Sequence, residues 1–570
     1  MKSYVRIGSL LAVVALAVSA CGGGGGGGGG SVPGPIATGT PIITPTPPVT
    51  PTPTPPITSP LSLLCTSSGA PQSLGRVPEG AFAQSSQQPV ARRNVPRNPD
   101  TGPQYVPNQV VVLFSRGGAP ADLSADSEIA RSVGGRVTRR FDFRSLGESS
   151  AVISVPSAQA DAAVKKLEQT PGVEQAYRPA YRRLLSTTAT LTSDPYYKGF
   201  AGGNTPPLYE APNVPGQWDM HVICAANAWA YTQPNSTGRI IPGAIGSPNI
   251  KVAIVDTGAD LTHPELSGGK VVYAETDLGV PVKNDPAMHD NEGHGTDVAG
   301  IAAGATNNAV GFASVGYNTP LMVFKVFPDP PAAGCPAQST DPACQATETD
   351  EVSGINGAVA AGAKVINLSL GSTPRVGQTC AIAAPNEARA IAAAIAAGVV
   401  VVAASGNEAL SRLDCPAGDP GVIAVGASTL DDSNPAAIGE RVAGYSNYVV
   451  GSSTWGVVAP GGDPVNNDSD DLHWIENITS STAAIKTCTP DFGNPTGPGD
   501  CRVLIAGTSQ ATPHVSGAVA LLLAANPALT PAAIAQILCT TAVQYPDTRS
   551  GCGRLNVYRA MANVVGDPSP

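Results

Sequence analysis

Three textures of apolar and polar positions divide the chain. At the start, Lys2 and Arg6 precede the apolar run LLAVVALAV, and small residues follow up to Cys21. A basic start, a short apolar stretch and a small-residue exit predict an export signal over residues 1–20, the run being shorter than the roughly 20 residues of a membrane span. From 106 to 184, short runs of strand character alternate with helical spacing. NQVVVLFSR reads as a strand, ADLSADSEIARSVGG as a helix stopped by Gly134 and Gly135, and RVTRRFDF and SSAVISVP as two more strands. SAQADAAVKKLEQTPG then has helical spacing (Ala160, Val164, Leu167), with Ser157 as N-cap and Pro171-Gly172 as the stop. VEQAYRPAYRRL closes the unit. The order βαββαβ predicts a small ferredoxin-like α+β domain, an arrangement that by itself names no function.

After Asp194 the apolar runs become continuous. KVAIVD, LMVFKVF, AKVINLSL, GVVVVAAS and GVIAVGA read as buried strands, with the helical stretches VSGINGAVAAG and NEARAIAAAIAAG between them. Strands apolar on both faces, alternating with helices, predict an α/β domain with a mainly parallel sheet over residues 194–565. Functional residues of such sheets gather beyond the carboxyl ends of the strands.

Residues 21–105 show neither texture. Nine glycines follow Cys21, then the Pro/Thr-rich stretch TPIITPTPPVTPTPTPPITSP. Polyglycine is a flexible coil and the proline-rich part favours extended polyproline II, so this stretch is expected to be a tether. Val18-Ser19-Ala20-Cys21 resembles a bacterial lipobox, which would make Cys21 the lipid-bearing first residue of the mature protein. An ordinary cleaved signal with an incidental cysteine is the open alternative.

Charge and cysteine content narrow the picture. A formal net charge of −10, from 33 Lys and Arg against 43 Asp and Glu, argues against nucleic acid as a partner. There are 11 cysteines. With Cys21 set aside, an even number remains, as expected of a disulfide-bonded exported chain. Cys335–Cys344, Cys380–Cys415, Cys488–Cys501 and Cys539–Cys552 are the pairings closest in sequence, although connectivity is not deducible from spacing. No C-x2-C pair occurs, which argues against zinc.

The candidate chemistry lies in three stretches. KVAIVDTGAD puts Asp256 at a strand end, NEGHGTDVAGIAAG puts His294 at a helix start, and AGTSQATPHVSGAVALLLAA puts Ser509 at a loop-to-helix entry with Pro513 in the first turn. A serine hydroxyl needs a base to take its proton, and the base needs a carboxylate to fix its tautomer. Asp…His…Ser is one of the chain orders in which such a triad occurs.

VDTGAD, HGTDVAG and GTSQATPHVSG resemble the three catalytic signatures of the subtilisin-like serine proteases (the subtilases, peptidase family S8). The resemblance implies a subtilisin-like three-layer α/β fold, with Asp256 as orienting acid, His294 as general base and Ser509 as nucleophile. VVVVAASGNE matches the family segment that supplies an oxyanion donor, here Asn407, with the backbone N–H of Ser509 as the second donor. INLSLGS resembles the family strand that pairs with substrate, which would place Ser369, Leu370 and Gly371 along the cleft, and Ala404, Ser405 and Gly406 resemble its opposite wall. A peptide substrate would bind as an added strand. TNNAVGF resembles the family's calcium loop, implying Ca2+ ligands from Thr306, Asn308, Val310 and Phe312, with Glu265 as the acidic ligand. Glu408 would sit near the mouth of the first specificity pocket or on a solvated surface.

The chain also departs from the family pattern. Asp297 stands where the family usually has His; an acid in a helix's first turn suits the helix dipole, and a carboxylate so near His294 would also raise its basicity. Gln510 replaces a Met common after the nucleophile, which predicts tolerance to peroxide. The segment 328–350 is longer than its family counterpart and is expected to form a rim of the cleft, stiffened by Cys335–Cys344. The ferredoxin-like unit, residues 106–184, resembles the family's propeptide, an intramolecular chaperone and inhibitor cut off between about Tyr181 and Asp194. A permanent accessory domain is the open alternative. After the four local pairs Cys224 and Cys65 are left over, and a Cys65–Cys224 bridge would keep the mature enzyme on its tether; a free Cys224 is the other reading. The functional expectation is an exported or lipid-anchored serine endopeptidase of the bacterial cell envelope or exterior, matured by autocleavage. The competing reading is an inactive subtilase-like surface binding protein.

Overall fold

The computed structural model describes residues 105–566 except 115–122, 144, 185–186, 189–216, 232–240, 307–310, 332–334, 336–340, 432–438, 451–454, 465–472, 484–485, 490–499 and 545–546. The expected signal, lipidation at Cys21, the tether and Cys65 lie outside the described residues. No helix among them is long and apolar enough to cross a membrane.

The small unit has the predicted order. Strands β1 (Gln109–Phe114), β2 (Arg136–Phe143), β3 (Glu148–Ser154) and β4 (Val173–Tyr177) form an antiparallel sheet in the order β2-β3-β1-β4, with helices Leu123–Ser132 and Ala160–Leu167 as crossovers. Alternation in β1 sends Val110, Val112 and Phe114 toward these helices and Val111 and Leu113 to the other face. Ser157 opens a short 3-10 turn and the helix proper starts at Ala160, so Ser157 is not its N-cap.

VEQAYRPAYRRL is not one closing strand. It breaks after β4, and β5 (Tyr181–Leu184) and β6 (Thr187–Thr188) leave the small sheet to pair with the large unit. Pro179 lies at the break, where a proline disfavours continued regular pairing.

The large unit is built on a nine-stranded sheet. Its members are β7 (Val252–Asp256), β8 (Val271–Thr276), β9 (Val282–Lys283), β10 (Leu321–Lys325), β12 (Val365–Leu368), β14 (Val400–Ala404), β15 (Ile423–Asp431), β16 (Gly439–Val442) and β17 (Gly456–Pro460). They run in the order β16-β15-β14-β12-β7-β10-β8-β9, with β17 parallel to β15; only β9 and β16 pair antiparallel. Helices Glu348–Ala360 and Pro385–Ala396 cover one face, and His294–Ala303 and Thr508–Ala525 the other. Two short strands, β11 (Ala346–Thr347) and β13 (Leu370–Gly371), flank β5 in a separate three-stranded sheet. A further small sheet joins β18 (Ile475–Ile478), β19 (Thr487–Thr489) and β20 (Asp500–Ala506), with β6 on β20.

The two units share a core. Val111, Leu113, Phe141, Phe143 and Val152 of the small sheet pack with Val352, Ile355, Ile391 and Ala394 of the large unit's helices. Polar ties surround this seam: Arg139 to Asp350 at 2.6 Å, Ser150 to Asn386 at 2.6 Å and Arg389 to Glu174 at 2.7 Å. The disulfides Cys335–Cys344, Cys380–Cys415 and Cys539–Cys552 are formed. Cys224 and Cys501 are also disulfide-bonded, and the backbone of Cys488 stands opposite Cys501 in the β19–β20 ladder.

Candidate active site

Asp256 ends β7, the central strand, and is fully buried. His294 begins its helix at Gly293, whose φ of 100° is a left-handed conformation suited to glycine. The two elements approach closely because Gly295 has no side chain: a Cβ there would meet the Gly258 carbonyl at 2.3 Å. Asp290 caps this helix, accepting from Gly293 N at 2.7 Å, Thr296 N at 2.9 Å and Thr296 Oγ1 at 2.6 Å. Glu292 Oε2 accepts from His294 N at 2.7 Å. The acidic residues just before HGTD, Asp290 and Glu292, are the sequence signal for these caps.

His294 Nδ1 lies 2.7 Å from Asp256 Oδ1, which also accepts from Thr257 N at 2.7 Å. An ionised carboxylate only accepts, so Nδ1 carries a proton, and in the neutral ring Nε2 presents its lone pair. Nε2 is buried with no hydrogen-bond partner among the described residues. Burial works against a charge on this imidazole. The charge of Asp256, its hydrogen bond and the charges of Glu292 and Asp297 outweigh that, raising the pKa to about 9.

Ser509 is the second residue of its helix and fully buried. Its Oγ donates to the Ser369 carbonyl at 2.9 Å rather than to His294, while Ser369 Oγ donates back to the Ser509 carbonyl at 2.8 Å. That carbonyl is free because Pro513, four residues on, has no N–H. Pro513 thus stands in the helix's second turn, not its first, and the bond it removes is replaced by Ser369. Asn367 Nδ2 donates to Ser369 Oγ at 3.0 Å, and Ser516 Oγ donates to Asn367 Oδ1 at 2.8 Å. This buried relay, which ties β12 to the Ser509 helix, was not anticipated from sequence.

Asn407 follows β14. Its Oδ1 accepts from Thr508 N at 3.0 Å and Thr508 Oγ1 at 2.9 Å. A backbone N–H only donates, so the amide orientation is fixed and Nδ2 is the end left to donate elsewhere. Ala404 and Ser405 are buried behind it, and Gly406 has φ of 110°, where a Cβ would meet Asn447 Nδ2 at 2.1 Å. Glu408 folds back on its own loop, accepting from Asn407 N at 3.1 Å and Asn447 Nδ2 at 2.8 Å.

Asp297 stands in the first turn of the helix, as expected, and its charge is one of those that raise the His294 pKa. It is fully buried and Gln510 Nε2 donates to its Oδ2 at 2.9 Å. Burial raises its pKa to about 7, against the opposing effects of Gln510 and His294. Glu292 is likewise raised to about 7, first by burial. The two departures from the family pattern therefore touch each other, and a sequence read position by position does not reveal such a pair.

Of the residues named for calcium, Asn308 and Val310 lie outside the described residues. Glu265 is buried against the loop, where a Cβ on Gly311 would fall 2.2 Å from its Oε1. Thr306 Oγ1 lies 3.0 Å from Ser314 Oγ, and Phe312 is buried nearby. A buried carboxylate pressed on loop backbone suits a hard, oxygen-seeking cation. Lys270 also feels Glu265, although burial lowers the lysine's pKa to about 8. Among the described residues no group of three or more His, Cys, Asp or Glu could hold a metal, so a cation here would depend largely on carbonyls.

A mainly parallel β-sheet with helices on both faces, an Asp–His pair at a strand end and a helix start, and a helix-entry serine are features of a subtilisin-like α/β fold. Residues 247–557 match the subtilase family and residues 92–177 the fervidolysin N-terminal prodomain. The chain belongs to the subtilase family and is a subtilisin-type serine protease with a prodomain. It is 31% identical over 469 residues to thermophilic serine proteinase from Bacillus sp. (strain AK1), covering 80% of this chain and 88% of that one. Thermitase from Thermoactinomyces vulgaris is 32% identical over 313 residues, covering 55% of this chain and 88% of thermitase. The crystal structure of fervidolysin from Fervidobacterium pennivorans, a keratinolytic enzyme, superposes with a TM-score of 0.57 at 24% identity. That match covers 84% of this chain and 65% of the fervidolysin chain.

Proposed function

We propose that the chain is an exported serine endopeptidase that cuts its own prodomain, with Asp256, His294 and Ser509 as triad and Asn407 as oxyanion donor. The observation that carries this reading is the path of the prodomain tail. β5 pairs antiparallel with β13 (Leu370 with Leu184, Gly371 with Arg183), and β6 pairs with β20 (Ile505 with Thr188, Ala506 with Thr187). Two residues separate β5 from β6, and the segments they pair with both run up to the Ser369–Ser509 contact. The bond to be cut therefore falls between Leu184 and Thr187. With Leu184 opposite Leu370 and Arg183 opposite Gly371, we assign the bond after Leu185 as the one cut.

The chemistry follows from the contacts. An incoming strand that continues the β13 pairing offers a backbone N–H to the Ser369 carbonyl and displaces the Ser509 hydroxyl. That hydroxyl then turns to His294 Nε2, which takes its proton as Oγ attacks the substrate carbonyl; Asp256 stabilises the imidazolium formed. Asn407 Nδ2 and Ser509 N donate to the developing oxyanion. His294 returns the proton to the leaving amine, and water resolves the acyl-enzyme.

Purified wild type and Ser509→Ala, incubated with denatured protein, test this reading. Wild type should yield a new terminus at Ser186 and cleave the protein, whereas the variant should stay full length and inert. A processed Ser509→Ala protein would overturn self-cleavage, and wild type inert on every protein would favour the binding-protein reading. Calcium at the Glu265 loop would be structural, and a chelator should then lower the melting temperature. We further assign Cys65 as the partner of Cys224, since Cys488 faces Cys501 and the remaining pairs are formed. With a lipidated Cys21, that bond would hold the cut enzyme at the membrane.

A further inference from the structure

Outside the residues of the proposed triad, a buried cluster of ionisable groups surrounds β5 of the prodomain tail. Arg182, in the middle of β5, is fully buried. Its Nε lies 2.5 Å from Glu351 Oε2 and 2.9 Å from Glu387 Oε2, its Nη2 2.5 Å from Glu387 Oε2, and its Nη1 donates to Ser372 Oγ at 2.9 Å. Both glutamate side chains are fully buried. Glu348 stands beside them, accepting from Tyr177 Oη at 2.5 Å and Ala180 N at 3.3 Å. Asp419 is also buried, and neither of its oxygens has a hydrogen-bond partner among the described residues. One guanidinium thus serves a pocket with four carboxyl groups. Burial opposes the arginine's charge, and Glu387, Glu351 and Glu348 more than offset it.

Every group that grips the guanidinium belongs to the protease unit. Glu351 and Glu387 project from the 348–360 and 385–396 helices, and Ser372 follows β13. Backbone bonds between Ser372 and Cys415, at 2.9 and 3.0 Å, and the Cys380–Cys415 disulfide brace that wall. Arg182 itself lies in the lane a substrate would use, being the central strand between β11 and β13. Any extended peptide in the same register sends its corresponding side chain into the same carboxylates. Once the prodomain leaves, buried carboxylates without a cation are costly, and a guanidinium fork matches two glutamates better than an ammonium point charge.

We propose that the mature protease carries an arginine-selective pocket formed by Glu351, Glu387 and Ser372, which reads a substrate arginine four residues before the cut. This rests on the proposed self-cleavage after Leu185, since that bond sets the count. The autoprocessed wild-type enzyme is given a peptide series that varies only this position, as Arg, Lys, Leu or Ala. kcat/KM should favour Arg over Leu by about ten- to a hundred-fold, with Lys between them, and Glu387→Gln should lower the Arg-to-Leu ratio toward one. Equal cleavage of all four peptides would overturn the pocket while leaving the protease reading intact. Failure to cleave any peptide or protein would instead overturn the protease reading on which the pocket depends. If Glu387→Gln does not mature, the wild-type series still decides. Synthetic prodomain tails with Arg182 or Arg182→Leu, compared as inhibitors, supply a second measurement, and equal inhibition would also count against the pocket.

Discussion

In the proposed mechanism a single side-chain amide, that of Asn407, meets the negatively charged oxygen. Thr508 holds Asn407 by its carbonyl end through two hydrogen bonds, so the donor end needs no reorganisation when charge develops. Replacing Asn407 with Ala should lower kcat by about 10²–10³ with little change in KM, measured on a small peptide substrate. The imidazole is set by its neighbours in the same way. A protonated His294 cannot act as base, and its pKa of about 9 means that activity rises with pH toward that value. Asp297 contributes to the elevation and is itself ionised only above about 7. Asp297→Asn should therefore shift the acid limb of the kcat/KM profile to lower pH, whereas a purely structural residue would reduce the plateau without moving the midpoint.

At the level of elements, the hydrophobic pattern carried most of the architecture, because strands apolar on both faces have few other homes. Asp256, His294 and Ser509 stand at the strand end and helix starts that the pattern predicts, and Asn407 follows a predicted strand. What stayed hidden depends on side chains meeting across long separations. The Gln510–Asp297 bond, the Ser516–Asn367–Ser369 relay and the Arg182 pocket each join segments whose local patterns give no sign of one another. The division of VEQAYRPAYRRL into two strands was missed for a related reason: β5 is held by β11 and β13, partners far along the chain. Cys380–Cys415 closes a loop with a sequence separation of 35. Removing it with a Cys380→Ser, Cys415→Ser double variant should cost about 3–4 kcal/mol of stability, read by denaturant unfolding of the Ser509→Ala protein. An unchanged midpoint would show that the brace is redundant.

The whole molecule joins two units through one apolar seam and through a tail, β5 and β6, that crosses onto the sheets of the protease unit. If Cys65 holds Cys224, the processed enzyme should stay with the membrane fraction until a reductant is added, then appear in the supernatant; release without reductant would count against that bond. The crossing chain has a kinetic consequence of its own. Both flanks of the assigned cut are strands within sheets, and the seam between the units survives scission unchanged. Breaking the peptide bond therefore does not empty the cleft: the enzyme would pass through a nicked but still silent form, and the lag before it works on other proteins would be timed by the departure of its former half.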